Sequence, residues 1–143
     1  MIRFIDTEDT LVLRSLILRE GIAPDLCRFD GDDELDTFHL GYYIENELVC
    51  IGSFHKQNRQ SYVGIGYQLR GMATSFEFQG QGIGNQLLNF AIVYLRGKNV
   101  NYIWCNARKY ACKFYSGIGF EIISDEFEVV GIGPHRVMYL KIQ

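Results

Sequence analysis

Gln68-Leu-Arg-Gly-Met-Ala-Thr-Ser-Phe-Glu-Phe-Gln-Gly-Gln-Gly-Ile-Gly-Asn-Gln-Leu-Leu-Asn-Phe-Ala-Ile-Val-Tyr-Leu95 changes its periodicity part-way along. Up to Thr74 the stretch is β-compatible. From Ile83 onward, Ile83, Leu87, Leu88, Ala91, Ile92 and Leu95 fall at helical spacing, which puts one apolar stripe on one face. Between the two, Gly80, Gly82 and Gly84 occupy alternate positions, which is turn chemistry. The order is therefore strand, glycine-rich turn, amphipathic helix. The first turn of a helix has N–H groups without intrahelical partners, and the helix dipole adds partial positive charge there. Residues without a Cβ let an anion approach that backbone, and phosphate is the usual occupant. A tight connection that holds no ligand is the competing reading. The dinucleotide pattern needs a glycine where Asn85 stands, and the P-loop needs a lysine that does not follow these glycines.

The rest of the composition narrows the partners. A chain of 143 residues is expected to form one domain, 1–143, with a single core. Its formal net charge of −3 argues against a nucleic-acid binder, so an anionic ligand would have to be held locally, by amides and a few cations. No apolar run has the length of a membrane span, and Met1-Ile-Arg-Phe-Ile-Asp6 does not read as a signal peptide. Cys27, Cys50, Cys105 and Cys112 form no C-x-x-C pattern and sit among apolar residues. They read as reduced thiols of a cytoplasmic protein. The three histidines lack metal-ligand spacing, so no metal is expected.

Strands are expected over Ile2–Ile5, Thr37–Glu45, Glu47–Lys56, Tyr62–Thr74, Asn101–Asn106, Phe120–Ile123 and Arg136–Ile142. An apolar helix follows Asp6-Thr-Glu-Asp-Thr10 and stops at Gly21. Ala23–Asp36 is an acidic, glycine-punctuated segment that has room for a short second helix. The glycine-loop helix ends near Gly97, a shorter helix covers Arg108–Tyr115, and Gly131-Ile-Gly-Pro134 reads as a loop. Strand, crossover helix and strand make a parallel pair of roughly Leu69–Thr74 with Tyr102–Asn106. Ligands of such sheets sit beyond the carboxyl ends of the strands, where Met72-Ala73-Thr74 and Cys105-Asn106 end. An exposed edge strand near the C-terminus leaves monomer and homodimer both open.

Gln79-Gly80-Gln81-Gly82-Ile83-Gly84 resembles the Q/R-x-x-G-x-G/A signature of the GCN5-related N-acetyltransferases (GNAT). Asn106, Ala111, Phe114, Tyr115, Gly119 and Phe120 resemble the second signature of that family: a strand ending in Asn, a small-residue helix, then F-Y-x-x-x-G-F. Leu69-Arg-Gly-Met-Ala73, Trp104-Cys-Asn-Ala-Arg108, Gly131-Ile-Gly-Pro-His135 and Phe38-His-Leu-Gly41 look like a bacterial branch, the ElaA/YjcF-like acetyltransferases. The resemblance implies an α/β (α+β) fold with a mixed, mostly antiparallel sheet of about six or seven strands, about four flanking helices and one splayed parallel pair. It also implies direct acetyl transfer from acetyl-CoA to an unidentified primary amine. A sensor that binds acyl-CoA without turnover is the alternative.

The residue roles follow from the same resemblance. The backbone of Met72, Ala73 and Thr74 would pair with the pantetheine arm. The amides of Gln79, Gly80, Gln81, Gly82, Ile83, Gly84 and Asn85 would take the pyrophosphate. Asn106 would bond the pantetheine, Phe114 would stand beside it, and Tyr115 would protonate the leaving thiolate. A phenol near pKa ~10 is close enough to a thiol for that exchange. Core packing for Tyr115 and strand-end capping for Asn106 are the competing readings. His39, His55, His135 and Glu77 are candidates for a general base, and a water chain is the alternative. Arg70 is a candidate for the acceptor pocket, where it would suit a carboxylate or phosphate. The proposed pocket set is His39, Arg70, Glu77 and His135. Arg108, Lys109 and Lys113 cluster where one of them could neutralise the 3′-phosphate.

Overall fold

The computed structural model describes residues 1–143. The strands are β1 (Ile2–Ile5), β2 (Phe38–Ile44), β3 (Glu47–Lys56), β4 (Gly66–Thr74), β5 (Tyr102–Arg108), β6 (Glu121–Ile122), β7 (Phe127–Val129) and β8 (Gly133–Lys141). Three α-helices accompany them: α1 (Thr7–Leu13), α2 (Ile83–Gly97) and α3 (Cys112–Ile118). All eight strands join one sheet in the order β1-β2-β3-β4-β5-β8-β6, with β7 also paired to β8. Every pairing is antiparallel except β4 with β5. This is the mixed sheet expected from the strand–helix–strand order.

Local chemistry accounts for the element ends. Asp9 accepts the N–H of Asp6 at 3.0 Å and closes the start of α1. Glu45 and Asn46, both at positive φ, form the two-residue turn between β2 and β3. The apolar stripe of α2 is buried as expected: Ile83, Leu87, Leu88, Ala91, Ile92 and Leu95 pack on Leu40, Phe54, Leu69 and Ile103 of the sheet. Each large apolar side chain sealed there stabilises the fold by about 1.5–3 kcal/mol relative to an exposed one.

Five expectations are corrected. The parallel register joins Gly66–Gln68 to Tyr102–Trp104, earlier in β4 than expected though within the expected part of β5, and Leu69–Thr74 has no β5 partner. β4 starts at Gly66 rather than Tyr62, because Tyr62 leaves the sheet to stack on Tyr139 with centroids 4.5 Å apart. The expected Gly131–Pro134 loop is partly strand: β8 begins at Gly133, and its first residues pair with the unforeseen β7. Pro134 is tolerated there because it stands at the strand's start. The first helix changes at Arg14 into a π-helical turn, Arg14–Leu18, and only a 3₁₀ turn, Pro24–Cys27, occupies the expected second helix.

Candidate active site

A bulge in β4 opens the sheet. Ile51 pairs with Ala73 and Ser53 with Arg70, so Gly71 and Met72 together face the single residue Gly52. Gly71 takes φ +64, and a Cβ there would meet Phe29 at 3.0 Å and Arg14 at 3.1 Å. Such a bulge bends its strand. Beyond Gln68 and Trp104, β4 and β5 separate, and a cleft of about 1010 Å³ lies between and beside them. The cleft lies where the carboxyl ends of both strands point.

One end of the cleft is the start of α2. Gly80 and Gly82 sit at φ +75 and +80, and nothing lies within 4 Å of the space a Cβ would fill. Gly82 is the N-cap and no side chain caps the helix, so the first-turn N–H groups have no side-chain acceptor. Gln79 Nε2 donates to Thr74 O at 2.9 Å and ties the turn back to the strand. Gly84 is required for a different reason: a Cβ would come within 3.1 Å of Met72 Cε and 3.2 Å of Phe114. This is an open row of donors at a helix N-terminus, and its chemistry fits a phosphate-bearing ligand.

The structure brings together most of the expected site. Met72, Ala73, Thr74, Gln79, Gly80, Gly82, Ile83, Gly84, Asn85, Asn106, Phe114, Tyr115, Arg70 and His135 all line the cleft. Gln81 does not; its side chain donates to Glu77 O. Glu77 is outside the lining as well. His39 is buried elsewhere, with both ring nitrogens in use. Nε2 lies 3.0 Å from the carbonyl of Asp32, so it must donate, and Nδ1 lies 2.7 Å from Ser53 Oγ, which must donate to it. Burial lowers the pKa of His39, so the ring is held neutral.

Around His39 runs a buried ionic cluster that the sequence did not announce. Arg14 Nη1 and Nη2 donate to the two carboxylate oxygens of Asp32 at 2.7 and 3.0 Å, and Nη2 also donates to Ser53 Oγ at 2.8 Å. His55 Nε2 lies 3.2 Å from Asp32. Burial alone would raise the Asp32 pKa, but His55, Arg14 and the Phe29 N–H hold it far below the usual carboxylate range. The π-turn that begins at Arg14 also sets Ile17 and Leu18 on the cleft wall. Such turns recur at functional sites. Arg108 Nη2 donates to Leu18 O at 2.9 Å, across the cleft mouth. Lys109 pairs with Glu126 at 3.3 Å.

Tyr115 is buried on α3, with its ring against Phe114 and Phe120. Its hydroxyl has no protein acceptor, yet it is not among the unpartnered polar atoms sealed from solvent. It therefore opens to the cleft. Burial, and then the neighbouring Cys105, push its pKa well above the ordinary phenol value, so it keeps its proton. Burial pushes the thiol of Cys105 up too, which makes it inert as a nucleophile. His135 stacks on Phe127, and its Nδ1 lies 2.8 Å from Gly133 O. That nitrogen must donate, so in the neutral ring the lone pair is on Nε2.

The acetyltransferase (GNAT) domain family model matches residues 22–140. The chain belongs to the GNAT acetyltransferases. A curated relative of this acetyltransferase, the uncharacterized N-acetyltransferase YitI of Bacillus subtilis (strain 168), is 34% identical over 139 residues, which cover 96% of this chain and 93% of YitI. The GNAT fold is also seen in the crystal structure of Escherichia coli ElaA, with TM-score 0.77, 16% identity, and 97% and 98% of the two chains covered. An aminoglycoside 6′-N-acetyltransferase complexed with coenzyme A superposes with TM-score 0.73 and 16% identity, over 100% of this chain and 97% of the other. The splayed pair and the uncapped α2 terminus are thus parts of an N-acetyltransferase. Phe29, Arg14 and Gly71 were missed as site residues. Gly71, a glycine inside a strand pattern, carried a signal for the bulge. Arg14 and Phe29 come from separate segments and carried none.

Proposed function

We propose that the chain transfers an acetyl group from acetyl-CoA directly to a primary amine of a small molecule or peptide. The observation that carries this reading is the cleft itself. A row of open amides at one end and the unpaired hydroxyl of Tyr115 on its wall flank a strand segment, Met72–Thr74, that has no β5 partner. Bound acetyl-CoA supplies an activated acetyl thioester. The first-turn amides of α2 hold phosphate, and the free edge of Met72–Thr74 offers main-chain donors and acceptors to an amide-bearing arm. The Asn106 side chain, exposed on the opposite wall, adds one donor and one acceptor.

The acceptor nitrogen attacks as the neutral amine, forming the amide bond as the carbon–sulfur bond breaks. Tyr115 gives its proton to the departing sulfur. The high pKa of the buried phenol does not oppose this, because the same burial raises the proton affinity of a thiolate beside it. His135, through Nε2, accepts the proton lost by the amine, directly or through water. Of the four base candidates, only His135 lines the cleft.

Calorimetry with acetyl-CoA, followed by thiol release over an amine panel, tests the reading. Tyr115→Phe should leave acetyl-CoA affinity nearly unchanged and cut turnover about 10- to 1000-fold, the range expected for loss of a general acid. Tight acetyl-CoA binding with no thiol release from any amine would favour the acyl-CoA sensor. No binding by the unmodified chain would end both readings.

A further inference from the structure

The cleft wall is cationic on one side and carries no acid at all. Arg14, Arg19, Arg70 and Arg108 line it, and neither Asp nor Glu does. In a chain of net charge −3 this is a local reversal. Two of these arginines are already engaged: Arg14 by Asp32, and Arg108 by Leu18 O and Tyr110. Arg70 is half-buried on the wall, yet no carboxylate lies within ion-pair distance and no acceptor receives its N–H groups. Its guanidinium lies 4.2 Å over the ring of Phe29, and that of Arg14 lies 3.9 Å over the same ring. The stack fixes the plane of Arg70 and leaves its edge donors free.

The face on which Arg70 sits separates it from the phosphate end. Leu69 and Met72 pack with the α2 core, whereas Ala73 packs with Leu13 of α1. Arg70 joins Phe29 and Arg14 on that second side. A cation meant for coenzyme phosphate would stand near Gly80–Asn85 instead. Of the two acids that act on Arg70, Asp32 is already shared by Arg14 and His55, and Asp30 is exposed and forms no ion pair with it. Burial pushes the Arg70 pKa down, against the weaker pull of Asp32 and Asp30. Proteins pair a guanidinium withdrawn from water, and a planar anion is the partner that matches its fork.

We propose that the acceptor of this enzyme is an amine that also carries an anionic group, a carboxylate or a phosphate, received by Arg70 at the α1-side mouth of the cleft. This rests on the acetyl-transfer reading above. Ile17, Leu18 and Ile132 on the surrounding wall suit an apolar carbon skeleton between the two polar ends. Polycationic amines are disfavoured, since no carboxylate on the wall would receive them.

The test uses the full chain, acetyl-CoA and matched acceptors: γ-aminobutyrate against its amide, 4-aminomethylbenzoate against benzylamine, O-phosphoethanolamine against ethanolamine, and spermidine as the polycation. At least one anionic member should exceed its neutral partner about tenfold or more in kcat/KM, with spermidine among the poorest. The carboxylate and phosphate pairs tell the two anions apart. Arg70→Gln should raise KM for the preferred anionic acceptor roughly 10- to 100-fold, far more than for its neutral partner, while leaving KM for acetyl-CoA unchanged. If no member turns over, the Arg70 Nε–H resonance of the coenzyme A complex decides, because it should shift with anionic members and not with their neutral partners. Equal or better use of neutral or polycationic amines, or an Arg70 resonance indifferent to every anion, overturns the proposal. Failure of acetyl-CoA to bind in calorimetry is a different result, which ends the acetyl-transfer reading and this one with it.

Discussion

Arg14 and Asp32 show what a single pair of charges can demand of a fold. Both are buried, at 0% and 5% exposure, and their two-pronged contact is completed by Ser53, His55 and the Cys27 carbonyl. Removing one charge from such a pair strands the other and costs about 3–5 kcal/mol. Asp32→Asn should therefore lower the unfolding free energy in urea by that amount at pH 7, and a loss below about 1 kcal/mol would contradict the account. The same cluster sets a pH dependence. His39 is held below its ordinary 6.5, so the unfolded chain binds the proton first as pH falls. Its contribution is complete above that value and is lost as pH falls toward the folded pKa. Asp32, held below its ordinary 3.8, adds a second loss of the same sign under that pH. Stability measured from pH 7 to 5 should decline, with the decline removed in His39→Gln if that variant folds. A flat profile in the parent chain would count against a neutral buried His39.

At the scale of elements, the start of α2 separates conformational need from ligand need. Gly82 is left-handed with open space at its Cβ position, so aspartate there meets backbone strain of about 1–2 kcal/mol and no clash. Its carboxylate would stand beside the amide row. Gly82→Asp should keep the fold and weaken acetyl-CoA binding by at least about tenfold, since the repulsion falls where phosphate is expected. Unchanged affinity in calorimetry would place the coenzyme elsewhere. This element was legible in the sequence because its signals are local: the stripe from Ile83 to Leu95 and the alternate glycines need only neighbours along the chain. The β2–β4 meander, the crossover to β5 and the Tyr115 motif were legible for the same reason. The Arg70 side of the cleft was legible only in part: Arg70 and His135 were candidates, whereas Arg14 and Phe29 were not. Arg14, Phe29, Arg70 and His135 come from a π-turn, a loop, β4 and β8, and no spacing rule links them. The parallel pairing was placed too late because the bulge at Gly71 turns the strand away just where the β-pattern continues.

The whole molecule is a sheet nearly divided in two. β1 to β4 form one leaf and β5 to β8 the other, and the leaves share only the register of Gly66–Gln68 with Tyr102–Trp104. The contact below this register is firm, since the Tyr102 hydroxyl accepts the Arg59 N–H at 2.7 Å and Trp104 Nε1 donates to the Gln57 carbonyl at 2.8 Å. Above it, Leu69–Thr74 and Cys105–Arg108 each keep one paired edge and leave the other without a strand. A ligand that fills this gap touches both leaves, so it should stabilise the assembly as well as occupy it. At a hundredfold excess over Kd the gain is about 2.7 kcal/mol, which for a chain of this size raises Tm by roughly 5–10 °C. Amide exchange should slow most at Met72–Thr74 and at Ile83–Asn85, and far less on β1 and β2. Gly82→Asp should lose both effects together at the same acetyl-CoA concentration. Protection spread evenly over all strands, or confined to α1, would mean that the gap between the leaves is not where the coenzyme lies, even if the protein binds it.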